Sequence, residues 1–311
     1  MKLLYLFLLP FLLLSQETLT RTQAIMGTYV NITLPDEHNR EISASFQQLQ
    51  ELEKSLSSYA PHLVYQLNQT HTVPYDPILA DAIKLSKQYY RDTHGYFDIT
   101  IGSISKDLYH FGEEKTYSPS RKALHTATLN IEGVHVTPTS ISTDQNIVID
   151  LGGIGKGFAV DKIVAYLKEQ NITKGIIALS GDIQCLHKCE LFLQSPFHES
   201  TFAHIQSHIN NLSISTSGTY RRYATKKSEH HLINPKTASQ GKAFVSVSLF
   251  TQSNNSKIDA YATALSVMPK EKALQFLKNH KEIGYVLVEP NGHILFGNLD
   301  KYLDIIFEEG A

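Results

Sequence analysis

The stretch Ile147–Val148–Ile149–Asp150–Leu151–Gly152–Gly153–Ile154–Gly155–Lys156–Gly157–Phe158–Ala159–Val160–Asp161 decides how the chain is read. A β-branched run ends in an aspartate, and a glycine cluster with one embedded lysine follows. Phe158, Ile163, Val164 and Leu167 then recur at helical spacing. The expected local structure is strand, glycine loop, helix, with the helix over roughly residues 153–169. Such a unit brings bare backbone and a helix N-terminus up to a phosphorylated ligand. Two common phosphate loops are excluded. A Walker A loop needs Gly-Lys-Ser/Thr, and here Gly157 follows Lys156. Gly153, Gly155 and Gly157 make G-x-G-x-G rather than the dinucleotide pattern G-x-G-x-x-G. A plain tight turn between strand and helix remains the simpler alternative.

Outward from this loop, both flanks read as mixed α and β. Thr22–Leu34 alternates as one strand, stopped by Pro35–Asp36. Ile42, Phe46, Leu49, Leu52 and Leu56 predict a helix over about 37–57, and residues 58–76 read as a polar loop. A second helix is expected from Pro77 to Arg91, with proline at a favoured first-turn position. Residues 96–120 look loop-rich, and 126–150 read as short strands. Lys174–Leu179 reads as a strand, and Asp182–Leu193 as strand, tight turn, strand around Cys185 and Cys189. His204–Ser215 and Phe244–Phe250 read as strands, the latter half-buried by its alternation. Helices at 256–267 and 270–279 and strands near 284–288 and 293–297 close the chain. With no linker and no repeat, the expected fold class is α+β, a single domain with a mixed, largely antiparallel sheet and flanking helices.

At 311 residues, 42% hydrophobic and 19% charged, the chain has an ordinary globular composition. A net charge of −2 and the lack of a basic run exclude a broad nucleic-acid surface. The 15 histidines are scattered, and no zinc spacing occurs. Lys2 precedes an apolar run, Leu3 to Leu14, and then polar Ser15–Gln16–Glu17. The run is short for a bilayer span and fits a secretory signal. Residues 1–20 are therefore set apart as a signal peptide or N-terminal hydrophobic segment, and 21–311 as the folded domain. Cys185 and Cys189 are open to two readings, a disulfide in an exported protein or two free thiols.

Further segments belong with the glycine loop. In chain order they are Ile25–Met26–Gly27–Thr28, Leu56–Ser57–Ser58–Tyr59, Gly95–Tyr96–Phe97–Asp98–Ile99–Thr100–Ile101–Gly102, Leu179–Ser180–Gly181–Asp182–Ile183, Ser215–Thr216–Ser217–Gly218–Thr219–Tyr220, His231–Leu232–Ile233–Asn234–Pro235–Lys236–Thr237, and Asp259–Ala260–Tyr261–Ala262–Thr263–Ala264–Leu265. With Asp150–Gly157 in its place among them, this ordered set resembles the ApbE family of FAD:protein FMN transferases, over about residues 21–300.

The resemblance implies an enzyme that binds FAD and a divalent cation, usually magnesium. It cleaves the FAD pyrophosphate, attaches FMN to a threonine hydroxyl of a target flavoprotein, and releases AMP. Typical acceptors are exported or membrane redox subunits, such as those of sodium-translocating NADH:quinone oxidoreductase. With the hydrophobic start, this implies an exported chain, periplasmic or attached to the outer face of the inner membrane.

The same resemblance implies roles for individual residues. Asp259 and Thr263, at i and i+4 on one helix face, would be magnesium ligands together with the Gly153 carbonyl. Oxygen donors suit a hard cation. Met26, Tyr59, Tyr96, Phe97, Asp98, Asp150, Lys156 and Leu232 match positions around FAD. His231 is the expected proton acceptor for the threonine hydroxyl, although His230 stands beside it. Asp182 is a second acidic candidate, for orientation or for base work. Three departures stand out: Ser180 for a family glycine, Asn234 for the usual aspartate before Pro235, and Ala262 where some relatives carry an acid. Two other functions use the same residues, a metal-dependent FAD pyrophosphatase and a non-catalytic exported flavin-binding protein.

Overall fold

In a computed structural model, residues 17–308 are described. The chain opens with β1 (Thr18–Ile25) and β2 (Thr28–Pro35), then α1 (Asn39–Leu56), α2 (Leu63–Thr70), β3 (Thr72–Pro74) and α3 (Pro77–Asp92). Two short helices, α4 (Gly102–Ser105) and α5 (Arg121–Thr126), precede β4 (Val134–Val136) and β5 (Ser140–Thr143). The long helix α6 (Gly155–Glu169) leads to β6 (Ile176–Leu179), β7 (Asp182–Cys185), β8 (Glu190–Gln194), β9 (Thr201–Ser207) and β10 (Leu212–Gly218). The two-residue strands β11 (Ile233–Asn234) and β12 (Ser239–Gln240) precede β13 (Ser246–Thr251). The chain closes through α7 (Asn255–Val267), α8 (Lys270–Asn279), β14 (Gly284–Val288), β15 (Ile294–Gly297) and β16 (Leu303–Phe307).

The main sheet has eight strands in the order β1-β2-β6-β7-β10-β13-β14-β15, and all its pairings are antiparallel. One face packs on the helices through Val30, Ile32, Leu179 and Leu249 against Phe158, Ile163, Ile258 and Tyr261. The other face packs on a small sheet, β16-β9-β8, through Ile214, Phe250 and Val286 against Leu193, Phe202 and Ile205. The result is an α+β domain of helices, large sheet and small sheet in layers. No helix among the described residues is long and apolar enough to cross a membrane.

Helices α1, α3, α6, α7 and α8 lie where the periodicity predicts them. Asp76 starts α3 by accepting from Leu79 N at 2.7 Å, ahead of Pro77. Several expectations are corrected. Thr22–Leu34 is not one strand but the β1–β2 hairpin, turned at Met26 (φ 56°) and Gly27 (φ 68°). Two successive positive φ values are what a tight two-residue hairpin needs. The polar loop 58–76 contains α2 and β3, and its Val64 and Leu67 are fully buried. Ile147–Asp150 joins no sheet. Its backbone is held instead by the Asn68 amide, which accepts from Ile149 N and donates to Ile149 O, both at 2.9 Å.

The cysteine segment and His204–Ser215 each divide between two sheets. β7 and β10 belong to the large sheet and β8 and β9 to the small one. A Cys185–Cys189 disulfide joins the end of β7 to the start of β8. β13 is buried along its whole length rather than half-buried, because it has the helices on one face and the small sheet on the other. β16 had no expectation attached to it. The N-terminal hydrophobic segment lies outside the described residues except for its last few, where β1 already begins at Thr18.

Candidate active site

The quoted stretch builds the site by lacing α6 to α7. Asp161, on α6, accepts from the first amides of α7, Asn255 N at 2.7 Å and Ser256 N at 3.0 Å. It therefore caps a helix other than its own. Asp259 returns the contact, its Oδ2 accepting from Gly157 N at 3.0 Å. The helices approach so closely there that a Cβ on Gly157 would lie 2.8 Å from both Asn255 O and Asp259 Cβ. The Asn255 side chain ties the pair to the sheet by donating to Ile183 O (2.9 Å) and Ile214 O (3.1 Å).

This lacing sets Lys156 between two buried carboxylates. Its Nζ lies 2.6 Å from Asp182 Oδ2 and 3.8 Å from Asp259 Oδ2. The contact with Asp182 Oδ2 is a close ion contact without good hydrogen-bond direction, so that oxygen is left without a hydrogen bond. Asp182 Oδ1 accepts from Ser215 Oγ at 2.6 Å. Burial alone would lower the Lys156 pKa, but Asp182 and then Asp259 raise it above the ordinary lysine value. Asp259 is pushed up to about 7, by burial first and by Asp182 second, against the pull of Lys156 and Gly157 N–H. Two buried carboxyl groups thus share one ammonium, and Asp259 holds its proton up to about pH 7.

Lys156 and Asp259 line a cavity of about 560 Å³ with Tyr96, Phe97, Asp98, Asp150, Gly153, His231, Leu232 and Thr263. Ten of the expected site residues therefore meet on one surface. Met26 and Tyr59 line an adjoining cavity of about 450 Å³. Asp150, Gly152, Lys156 and Arg222 border both cavities. Asp182 lines neither and reaches the cavity only through its contact with Lys156.

The other residues resolve individually. A Cβ on Gly153 would lie 2.9 Å from Thr263 Oγ1 and 3.3 Å from Phe97 Cε2, so only glycine leaves that corner open. Asp150 Oδ1 accepts from Gly152 N at 2.9 Å and Oδ2 from Ser105 Oγ at 2.8 Å. Burial would raise its pKa, but the Lys106 ammonium and these donors outweigh it and hold Asp150 below the usual carboxylate range. Asp98 is turned inward and caps a short 3-10 turn, accepting from Thr100 N at 2.8 Å and Thr100 Oγ1 at 2.7 Å. Tyr59 carries the Lys106 ammonium 4.4 Å over its ring, and Tyr96 carries that of Lys236 at 5.0 Å. Met26 N donates to Glu53 Oε1 at 2.7 Å, which fixes the hairpin turn at the mouth of the second cavity.

The two neighbouring histidines separate cleanly. His230 is buried, with Nε2 3.0 Å from Gly241 O. His231 faces the cavity, and its Nδ1 is 3.1 Å from Arg222 O. A carbonyl only accepts, so Nδ1 carries the proton and Nε2 is left as an acceptor. Burial, and then the Arg222 charge, push His231 down to about 4, so it is neutral at physiological pH.

Of the three sequence departures, the structure explains Asn234. Ser180 has φ 57°, a left-handed backbone that favours the family's glycine. Asn234 donates from Nδ2 to Val267 O at 2.9 Å while its Oδ1 accepts from Lys236 N at 2.9 Å. An aspartate has no donor for the first bond. Ala262 is fully buried in the helix-side core and does not line the cavity. Sequence reasoning missed Asp161, Lys106, Arg221 and Arg222. Only the position of Asp161 two turns into an amphipathic helix, on its partly buried side, hinted at a fixed role.

Solved structures share this arrangement of layers. The ApbE protein of Thermotoga maritima superposes with a TM-score of 0.81 at 20% identity, covering 92% of this chain and 98% of that one. The flavin transferase ApbE of Vibrio cholerae gives 0.74 at 20% identity, covering 94% and 97%. The scaffold is the ApbE fold. A model of the ApbE family matches residues 26–287, and the chain belongs to that family. Among its relatives, the FAD:protein FMN transferase of Buchnera aphidicola (subsp. Schizaphis graminum) is 28% identical over 274 residues, 80% of this chain and 79% of the relative. That of Escherichia coli K12 is 24% identical over 290 residues, 85% and 82%.

Proposed function

We propose that this chain is an FAD:protein FMN transferase that moves FMN from FAD to a threonine hydroxyl of an acceptor flavoprotein and releases AMP. The observation that carries the reading is the shared cavity. A neutral His231 with a free Nε2 faces the same space as the Lys156–Asp182–Asp259 cluster. The names and lengths of the relatives support the same activity.

FAD fits as substrate across the two adjoining cavities. Asp150, Gly152, Lys156 and Arg222 stand where the cavities meet. Lys156 and Arg222 supply positive charge for a pyrophosphate there. Tyr59 and Tyr96 offer aromatic faces, one in each cavity. The acceptor hydroxyl oxygen would bond to the FMN phosphorus while the bond from that phosphorus to the bridging oxygen breaks. AMP would leave with the bridging oxygen. His231 Nε2 would take the hydroxyl proton. The pyrophosphate charge beside it would raise its basicity from the low value set by burial and Arg222.

The residues also fit a divalent cation. Asp259, Thr263 and the Gly153 carbonyl are hard oxygen donors. The open corner at Gly153 beside Thr263 and the two buried carboxyl groups that share a single ammonium favour a cation, which would displace the Asp259 proton. A bound magnesium ion would withdraw charge from the pyrophosphate oxygens and stabilise the leaving AMP. Among the described residues no cluster of three His, Cys, Asp or Glu side chains exists, so backbone, hydroxyl, water and phosphate oxygens would complete its shell.

Export is part of the proposal. The Cys185–Cys189 disulfide belongs to an oxidising compartment, and the N-terminal apolar run supplies a targeting signal. The acceptor is then an exported or membrane-bound redox subunit, of the kind found in sodium-translocating NADH:quinone oxidoreductase. Incubation with FAD, magnesium and such an acceptor should yield AMP in equal amount to acceptor-bound FMN. AMP with free FMN and an unmodified acceptor would instead establish the pyrophosphatase. FAD binding without any AMP would leave a flavin-binding protein.

A further inference from the structure

Leu191, Phe192, Leu193 and Gln194 are consecutive residues of β8, and all four line the larger cavity. Successive strand residues point to opposite faces of a sheet. A cavity that touches four in a row must therefore run along the strand's edge. β8 is the outer strand of β16-β9-β8 and pairs only with β9 among the described residues. Its outward backbone groups are thus available to another strand, and they open onto the space that holds His231.

The edge is fixed at both ends. At its start, the Cys185–Cys189 disulfide ties it to β7, the strand that begins at Asp182. At its end, Gln194 accepts a hydrogen bond from the Arg221 guanidinium. The next residue, Arg222, gives its carbonyl to His231. Gln194 and His231 thus line one cavity and are linked through Arg221–Arg222. The cavity wall here is apolar, formed by Ile183, Leu191, Ile205 and Ile214, unlike the charged end at Lys156. Phe192 is 56% exposed on the same strand.

We propose that the β8 edge is the docking site for the acceptor protein. This rests on the transferase reading. An extended acceptor segment adds to the small sheet as a fourth strand. An aliphatic side chain near its hydroxyl residue packs on the apolar wall, and the hydroxyl is delivered to His231. Transfer to a macromolecule needs such a guide, because the reacting oxygen must reach the inside of a cavity without the acceptor unfolding.

The test uses the full chain with a folded acceptor that it flavinylates. Hydrogen exchange at Leu191–Gln194 should slow when acceptor is added. Leu191→Glu and Phe192→Glu should raise the KM for acceptor about tenfold or more, a larger factor than any change in FAD affinity read by flavin fluorescence. Phe192→Glu alters an exposed side chain and keeps the test valid if Leu191→Glu fails to fold. Wild-type KM in Phe192→Glu, with exchange at β8 unaffected by acceptor, would overturn the docking edge while leaving the transferase intact. Protection of β8 that grows with enzyme concentration alone would assign the edge to a second copy of this chain and also overturn the proposal. Failure to flavinylate any acceptor would remove the transferase reading itself.

Discussion

The Nζ of Lys156 lies 2.6 Å from Oδ2 of Asp182, a carboxylate that is 1% exposed and has its other oxygen bonded to Ser215. The glycine loop thus contributes a half-buried countercharge to buried carboxyl groups as well as bare backbone. Replacing Lys156 by glutamine would leave Asp182 and Asp259 buried without a cation. Breaking such a pair costs about 3 kcal/mol, or roughly 5–10 °C in melting temperature for a domain of this size. Asp182→Asn with Lys156→Gln should recover part of that loss. A double variant no more stable than Lys156→Gln alone would argue against the pair as the cause.

Gly153 and Gly157 make opposite predictions although they are four residues apart. A methyl on Gly157 meets backbone and Cβ of α7 at 2.8 Å. Gly157→Ala should therefore separate α6 from α7 and cost about 1–3 kcal/mol. A methyl on Gly153 meets Thr263 Oγ1 at the cavity surface. Gly153→Ala should keep most of the melting temperature but lose the thermal shift that magnesium and FAD give the wild type. Thermal denaturation with and without both ligands separates the two.

Two site groups give stability slopes of opposite sign with pH. Asp259, raised to about 7, binds its proton in the folded state where the unfolded chain has released it. Its contribution to stability falls as pH rises from about 4 to 7. His231, lowered to about 4, stays neutral where the unfolded chain is protonated. Its contribution is present above about 6.5 and is lost as pH falls toward 4. Relative to wild type, Asp259→Asn should therefore lose more stability on acidification and His231→Asn less. Melting curves between pH 4 and 7 read both differences, and slopes of the same sign would contradict the assignment.

His231→Ala should bind FAD and lose transfer by about 10²–10⁴-fold. Between pH 5 and 8 the wild-type kcat/KM should show no step from His231, because the free enzyme already holds it neutral. An acid limb near the ordinary histidine value that disappears in His231→Ala would contradict the low basicity that burial and Arg222 give His231.

Much of this was legible in the sequence for identifiable reasons. Helices α3 and α8 carry periodic apolar faces, α3 has a clear start signal in Asp76–Pro77, and α6 follows the glycine loop with Phe158, Ile163, Val164 and Leu167 buried. The β1–β2 turn was hidden because Met26–Gly27 lacks the usual Asn-Gly chemistry, and Met26 takes its positive φ with Glu53 holding its amide. Ile147–Asp150 imitates a strand because it is apolar and β-branched, but its pairing partner is the side chain of Asn68, about eighty residues earlier. The division of β7 to β10 between two sheets is set by long-range packing that local alternation does not encode. In the site, the glycine loop was readable from the residues themselves, and Asp259 and Thr263 stood out only through the family resemblance. The cap that Asp161 places on α7 was not readable, nor was Arg222, since an exposed arginine at a cavity mouth looks like any solvated one.

The most direct measurement is the intact mass of a purified acceptor protein after incubation with this chain, FAD and magnesium. The account predicts an added FMN (less water) on one threonine, with AMP released in equal amount, and loss of both in Asp259→Ala. An acceptor of unchanged mass that a proven transferase flavinylates under the same conditions would contradict it.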